Sequence, residues 1–155
     1  MDKIDLMLIK QLQERPDMAL AELSQRIGIS KTTCWNRLQK LEEDGVIGGK
    51  FVKLDRQALG LPVVVFLSIT VGRHSPDWIE RFTHTVNRFP EIVEVHRLTG
   101  EGADYQMKII SPDIESYDKF QQKLIGAIDF TSMSTRMSLK ELKHTHHLPL
   151  AHLEG

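Results

Sequence analysis

Residues 23–41 have the sequence LSQRIGISKTTCWNRLQKL, and the fold of the N-terminal part of the chain follows from this stretch. Gly28 stands where a residue able to adopt the left-handed conformation would end one helix. Two residues later, Ser30 can cap the start of the next helix. A helix, a tight turn and a second helix make a helix-turn-helix, which we therefore predict here.

The second of these helices is predicted from residue 31 to about residue 43. Its Cys34, Leu38 and Leu41 are spaced i, i+4 and i+7, which places them on one face toward a core. The rest of its surface carries hydrogen-bond donors and cations. These residues are Lys31, Thr32, Thr33, Asn36, Arg37 and Lys40.

The segments on both sides of this motif complete a small domain. Ile4, Leu8 and Leu12 recur at helical spacing before Pro16, so another helix is predicted there. Apolar residues after the motif indicate a short strand or wing, followed by a hinge. The predicted limits are residues 3–14 for the first helix, 46–54 for the wing, 1–55 for the domain and about 61 for the end of the hinge.

From residue 62 the apolar pattern becomes rich in strands. Strands are predicted at 63–71, 92–98, 105–110 and 132–143, and helices at 76–89 and 114–126. The order β-α-β-β-α-β is that of an α+β ferredoxin-like sandwich with both helices on one face of the sheet. Because the other face would stay bare, we expect two subunits to pair through it. This second domain is predicted at 62–145, with a tail at 146–155.

The formal net charge is −1, which excludes a protein that coats nucleic acid by bulk charge. Any DNA binding must therefore come from a local patch. From Arg26 through Lys40 the chain contains four cations, these two included, and no acid. Residues 42–44, by contrast, are all acidic. Positive charge is thus concentrated on the second helix of the helix-turn-helix.

The single cysteine, Cys34, cannot form a disulfide within the chain, which suits a reducing compartment and excludes zinc-finger spacing. The N-terminus is charged from Asp2 onward, and no apolar run approaches the ~18 residues that a membrane span needs. We therefore expect a soluble cytoplasmic protein without a membrane partner.

The start of the second helix is suited to the phosphates of double-stranded DNA. Ser30, Lys31 and Thr32 stand at a helix N-terminus, where free N–H groups and the helix dipole attract anions. Lys40 is predicted to meet the DNA backbone further along. The alternative interpretation is an ordinary solvated helix face.

Three residues one turn further along are predicted to reach base edges. They are Thr33, Asn36 and Arg37, because Asn can pair with adenine and Arg with guanine in the major groove. Trp35 could pack against the wing or lie along a phosphate strand. We expect packing, because large aromatic side chains are mostly buried.

Two sets of residues resemble a known family. LSQRIGIS at 23–30, Cys34, Arg37-Leu38 and LEEDGVI at 41–47 are similar to the N-terminal domain of the Lrp/AsnC family of leucine- and asparagine-type regulators. FPEIV at 89–93, LTGE at 98–101, Asp104-Tyr105 and LKELK at 139–143 resemble its ligand-responsive module. The ending KHT at 143–145 with LPL at 148–150 is similar to a branch that senses apolar or sulfur-containing amino acids. The resemblance covers nearly the whole chain and implies a transcription regulator.

The resemblance also implies an effector site and an assembly. Dimers would pair through the sandwich, associate into tetramers or octamers, and hold an amino acid such as leucine, methionine or cysteine between dimers. An acid would bind its ammonium group, and loop donors its carboxylate. The alternative is a hairpin that needs glycine for its turn and tyrosine for its core. The matching effector residues are Thr99, Gly100, Glu101, Asp104 and Tyr105, with Met137 and Ser138 on the last strand.

Two other classes of function stay open. Some proteins resembling this family are sirohaem decarboxylases, which act on tetrapyrroles, and there His96 and Arg97 would be the candidate catalytic groups. A sensor that oligomerises without binding DNA is the other class. The basic second helix of the helix-turn-helix and the lack of an acid–base constellation favour a regulator that is not an enzyme. The C-terminal histidines lack carboxylate or cysteine partners at ligand spacing, so we predict neither a metal site nor a cofactor. They are His144, His146, His147 and His152.

Overall fold

The computed structural model describes residues 1–154 and divides the chain into two compact units. The first unit consists of Met1–Lys53 together with the segment that starts at Lys143, and the second unit is Leu54–Leu142. Both ends of the chain therefore belong to the first unit. Within residues 1–154, no helix has the length and apolar character to cross a lipid bilayer.

Three helices build the first unit: α1 (Lys3–Glu14), α2 (Leu20–Ile27) and α3 (Lys31–Glu43). Gly28 ends α2 with a φ of 80°, the left-handed conformation that glycine adopts without steric cost. The predicted helix-turn-helix is confirmed, including the limits of its second helix.

The apolar faces of these helices meet in a core formed by Leu8, Met18, Leu23 and Cys34. Cys34 is completely buried and Leu41 nearly so, as the spacing in α3 predicted. Burial raises the pKa of the Cys34 thiol above its ordinary value, because the thiolate would lose its hydration. The thiol is therefore protonated and shielded in the folded unit.

The segment after α3 does not form the predicted strand. Residues 47–55 have no regular secondary structure, and Phe51 and Val52 are 87% and 83% exposed. A strand is stable when it pairs with other strands and buries one face, and this segment does neither. The short strand predicted at 46–54 is therefore wrong.

The second unit contains four strands and two helices. They are β1 (Val63–Thr70), α4 (Pro76–Val86), β2 (Ile92–Arg97), β3 (Tyr105–Ser111), α5 (Ile114–Ala127) and β4 (Ser132–Met137). The strands form one antiparallel sheet in the order β2-β3-β1-β4. This order confirms the predicted ferredoxin-like α+β sandwich.

The last strand is shorter than predicted. β4 ends at Met137 rather than at residue 143, and the next N–H, that of Ser138, donates to the carbonyl of Val64 at 2.9 Å. Because β1 starts at Val63, the chain beyond this point has no strand left to pair with.

Both helices cover one face of the sheet. Trp78 stacks on Phe82 with 4.8 Å between ring centroids, and its Nε1 donates to the carbonyl of Asp129 at 2.8 Å. The Tyr117 hydroxyl lies 3.1 Å from Thr135 Oγ1 and links α5 to β4. Antiparallel sheets of this kind commonly leave their second face to solvent or to a partner.

The opposite face of the sheet is amphipathic. Phe66 on β1 lies opposite Lys108 of β3 and Arg136 of β4 in the same row. Neither helix of the unit packs on this face, which leaves Phe66 between Arg136 and Lys108, whose ammonium group lies 3.5 Å from Glu94 Oε1.

Candidate nucleic-acid interface and ligand-binding loop

The start of α3 is fixed by its cap. Ser30 Oγ accepts the backbone N–H of Thr33 at 3.1 Å and lies 2.8 Å from Thr33 Oγ1. These two hydroxyls, which the sequence suggested for DNA, are therefore engaged with each other. The N–H groups of Lys31 and Thr32 have no acceptor within α3, because the first N–H groups of any helix lack one. With no acid in the first turn, this helix end is suited to a phosphate.

Four exposed side chains form the outer face of α3: Lys31, Thr32, Asn36 and Lys40. Thr32, Asn36 and Lys40 follow one another at i+4 and lie in one row along the helix. Within residues 1–154, the side chains of all four make no hydrogen bond or ion pair. This row keeps all of its donors for a partner.

Arg37 is engaged inside the first unit. Its Nη1 donates to Asp2 Oδ2 and to Asp5 Oδ1, both at 2.7 Å, and its side chain is only 28% exposed. The hydrogen bond to Asp2, followed by the one to Asp5, raises the pKa of Arg37 above its ordinary value. Arg37 therefore joins α3 to α1, and its predicted base contact would require it to leave both carboxylates.

Asp2 is held as an anion by the same contacts. Its Oδ1 accepts the backbone N–H groups of Ile4 and Asp5 at 2.8 and 3.0 Å, which caps α1. The Asp5 N–H and then the Arg37 guanidinium lower the pKa of Asp2 below its ordinary value of 3.8. The Asp2 carboxylate thus caps the start of α1 and binds Arg37 of α3.

The prediction that Trp35 packs against a wing is wrong. No wing strand forms within the described residues, and the Trp35 side chain is 53% exposed. Trp35 follows the buried Cys34, and adjacent residues of a helix point in directions about 100° apart. A large aromatic ring therefore lies on the surface of α3, next to Asn36 in sequence.

The loop between β2 and β3 is anchored at its base by Asp104. Asp104 Oδ2 accepts the Val71 N–H at 2.6 Å, and the Asp104 N–H donates to the Ile69 carbonyl at 2.9 Å. The Thr70 hydroxyl also donates to the Gly102 carbonyl at 3.1 Å. These bonds hold the loop against the end of β1 and give Asp104 a structural role.

The tip of this loop is exposed. Thr99, Gly100 and Glu101 project to solvent, and Gly100 has a φ of 117°, which strongly favours glycine. Within residues 1–154 the Glu101 carboxylate makes no hydrogen bond, whereas Asp104 is engaged. Glu101 is therefore the acid of this loop that is available to a ligand.

Tyr105 has the position of a core residue. It is 5% exposed, and its ring lies 4.7 Å from Phe82, 5.4 Å from Trp78 and 5.7 Å from His74, centroid to centroid. Within residues 1–154, its hydroxyl and His74 Nε2 are buried without a hydrogen-bond partner. Unpaired buried groups of this kind are uncommon.

The structure does not bring Met137 and Ser138 to the loop within one chain. Tyr105 lies opposite Ile69 near the end of β1, whereas Met137 lies opposite Val65. These two positions on β1 are four residues apart, which is about 13 Å along a strand. Within one chain, the loop and the pair Met137–Ser138 therefore do not line one site.

A shallow cavity of about 510 Å³ lies between α4 and β2, and the sequence did not indicate it. Its walls are mainly apolar, with Phe82 and Val95 among them, and Arg97 and Tyr105 add polar atoms. No motif marks it, because it arises from the packing of a helix beside an edge strand. The only sequence signal was the apolar face of α4.

His96 and Arg97 do not converge. They are neighbours on β2, so their side chains point to opposite faces of the sheet. His96 Nε2 lies 3.6 Å from Glu94 Oε2 at an exposed position, whereas Arg97 lines the cavity. Across residues 1–154 no three His, Cys, Asp or Glu side chains are placed to hold a metal ion.

Comparison with known proteins connects both units to gene regulation. Residues 1–47 match a model described as winged helix-turn-helix DNA-binding, and residues 64–148 match one described as Lrp/AsnC ligand binding domain. The glutamate uptake regulatory protein of Zymomonas mobilis is 39% identical over 150 residues, which cover 97% of this chain and 91% of that protein.

Two solved structures resemble this chain over nearly its whole length. An AsnC family transcriptional regulator from Agrobacterium tumefaciens has a TM-score of 0.92 at 38% identity, with 99% of each chain covered. A transcriptional regulator of Neisseria meningitidis, solved in complex with L-Met, has a TM-score of 0.91 at 30% identity and the same coverage.

A helix-turn-helix unit and a ligand-binding α+β unit in one chain define a DNA-binding transcription regulator with its own ligand-binding domain. The chain belongs to the Lrp/AsnC family. Both the fold class and the general function expected from the sequence are thereby confirmed.

Proposed function

We propose that this regulator binds double-stranded DNA in the major groove with the outer face of α3. Lys31 and Lys40 contact phosphates, and Thr32 and Asn36 lie at base edges. The observation that carries the proposal is the exposed row of donors on α3, whose side chains are unpaired within residues 1–154. Such a row on the second helix of a helix-turn-helix is suited to direct readout.

The other predicted DNA contacts take supporting roles in this proposal. Ser30 and Thr33 set the start of the helix through their mutual hydrogen bond. Arg37 positions α3 through Asp2 and Asp5, and it approaches DNA only if it exchanges these partners for a base or a phosphate.

The ligand we propose is an amino acid with an apolar side chain, such as leucine, methionine or cysteine. Glu101 would bind its ammonium group, and Thr99 with the N–H of Gly100 its carboxylate. Asp104 holds the loop, and Tyr105 supports it from the core. The crystallised regulator of Neisseria meningitidis was solved with L-Met, which supports this chemical class.

The proposed ligand site lies between subunits. The separation of Met137 and Ser138 from the loop supports a site to which two copies contribute. Dimers would pair through the open sheet face around Phe66 and then associate into tetramers or octamers. A ligand bound between subunits changes the free energy of their arrangement, and through that arrangement it changes the affinity for DNA. We propose that this takes place in the cytoplasm.

A regulator without catalytic activity is favoured over a tetrapyrrole-processing enzyme by the placement of His96 and Arg97. Groups that act on one reacting centre must lie within reach of the same atoms. These two side chains occupy opposite faces of the sheet, so they cannot share a substrate within one chain.

The test is a fluorescence-anisotropy titration of the full chain against its own upstream promoter DNA, with random DNA as a reference, at two salt concentrations. We expect tighter binding to the promoter, weakening with salt. Asn36→Ala should reduce promoter affinity by about 10- to 100-fold and random-DNA affinity far less. Lys123→Ala, at an exposed position of α5, is the control. Equal affinity of wild type for both DNAs would contradict the proposal.

A further inference from the structure

The C-terminal segment lies against α1. The side-chain amide of Gln13 makes two hydrogen bonds to the backbone of Leu148. Its Oε1 accepts the Leu148 N–H at 2.6 Å, and its Nε2 donates to the Leu148 carbonyl at 3.4 Å. One turn earlier on α1, Lys10 forms an ion pair with Glu154. Lys10 and Gln13 are three residues apart and share a helix face, so the segment is held to that face at two points.

The chain between these two points contains one helical turn. A short 3-10 helix (Ala151–Leu153) shortens the path, and Leu150 is half-buried beside it. Most other side chains of the segment are exposed. The segment is therefore held by polar contacts more than by burial, and contacts of that kind exchange readily with water.

Helix α1 is the element through which this segment can act on the DNA-binding surface. Its N-cap Asp2 and its Asp5 bind Arg37 of α3, and its Leu8 lies in the core beside Cys34. The other end of the segment continues from β4, which ends at Met137. The second unit is thus connected to the first both before β1 and after β4.

We infer that residues 146–154 form a strap docked on α1, and that the ligand-binding unit acts on the DNA-binding unit through it. The strap belongs to the first unit although it follows the second in sequence. Release of the strap loosens α1 and, through Arg37, the position of α3. The docking itself is independent of the proposed function, whereas its regulatory use rests on it.

The docking is tested by the rate at which a thiol reagent labels Cys34 in the folded full chain. Because Cys34 is completely buried in the core that Leu8 of α1 helps to form, its labelling reports opening of the first unit. Gln13→Ala removes both bonds to Leu148, and we expect labelling to accelerate about tenfold. Gln13→Glu keeps the acceptor for the Leu148 N–H and should restore most of the protection. Gln25→Ala, at an exposed position of α2, is the matched control.

Equal rates of Cys34 labelling in wild type and Gln13→Ala would contradict the docking of the strap on α1. The regulatory part is tested by the effect of L-methionine and L-leucine on promoter affinity. We expect the shift in affinity seen with wild type to be largely lost in Gln13→Ala. An unchanged shift would overturn the coupling, even if labelling accelerates. If wild type shows no shift, the proposed ligand and the coupling both fail, while the labelling result still decides whether the strap is docked.

Discussion

The guanidinium of Arg37, in the middle of α3, is bound to the carboxylate of Asp2, the N-cap of α1, at 2.7 Å. The same carboxylate accepts the first backbone N–H groups of α1. The start of α1 therefore depends on Asp2, and the placement of α3 depends on Asp2 together with Asp5. Arg37, which the sequence suggested for base readout, instead joins α3 to α1 within the first unit.

The Arg37–Asp2 pair predicts strongly non-additive effects on stability. Arg37→Ala and Asp2→Asn should each lower the urea midpoint of the first unit, and the double variant should lose little more than the larger single change. Arg26→Ala serves as the control, because Arg26 pairs only with exposed groups on the surface. Strictly additive losses would show that the pair contributes nothing in solution.

Asp2 also predicts a defined dependence of stability on pH. Its pKa is lowered in the folded state, so its contribution is fully present above the ordinary value of 3.8 and is lost as pH falls through the lower folded value. Asp2→Asn keeps a good N-cap but removes the charge. Wild type should exceed this variant in urea midpoint at pH 6, and the gap should close between about pH 4 and pH 2. A gap that stays constant over this range would contradict the account.

The two lysines of the α3 face predict a change in salt dependence. Lys31→Ala and Lys40→Ala should each weaken binding to promoter and random DNA alike, and each should reduce the slope of log affinity against log salt by about 1. Lys123→Ala should leave the slope unchanged. Slopes for Lys31→Ala and Lys40→Ala that match the wild-type slope would mean that these side chains do not meet phosphates.

The two acids of the β2–β3 loop predict separable effects. Asp104→Ala leaves the part-buried Val71 N–H without its acceptor and should lower the free energy of unfolding by about 1–3 kcal/mol. Glu101→Gln should leave stability unchanged and weaken amino-acid binding about tenfold or more, because it removes the charge opposite the ammonium group. Calorimetric titration with L-methionine and thermal unfolding measure the two effects. Normal binding by Glu101→Gln would contradict the proposed ligand contact.

Much of the fold could be predicted because its signals are local. Gly28 and Ser30 indicate the turn of the helix-turn-helix within three residues. The burial of Cys34 follows from helical spacing alone. The β-α-β-β-α-β order likewise follows from the alternation of periodicities along the chain. The strand predicted at 46–54 was wrong because a strand needs a pairing partner, which local composition does not reveal.

The side-chain partners could not be predicted because they join distant parts of the chain. Nothing near Arg37 in sequence indicates that Asp2 will neutralise it, and nothing near Leu148 indicates Gln13. The exposure of Trp35 could not be predicted, because it depends on whether the segment after α3 packs against the ring. The separation of Met137 from the loop depended on strand register, which fixes distances only after the sheet has formed.

The most direct test of the central claim, that α3 contacts DNA, is lysine footprinting by limited acetylation and mass spectrometry. The full chain is labelled with and without saturating promoter DNA. We predict that DNA lowers the acetylation of Lys31 and Lys40 severalfold and leaves that of Lys119 and Lys123 on α5 unchanged. Protection of the α5 lysines, with Lys31 and Lys40 as reactive as in the free protein, would contradict the claim.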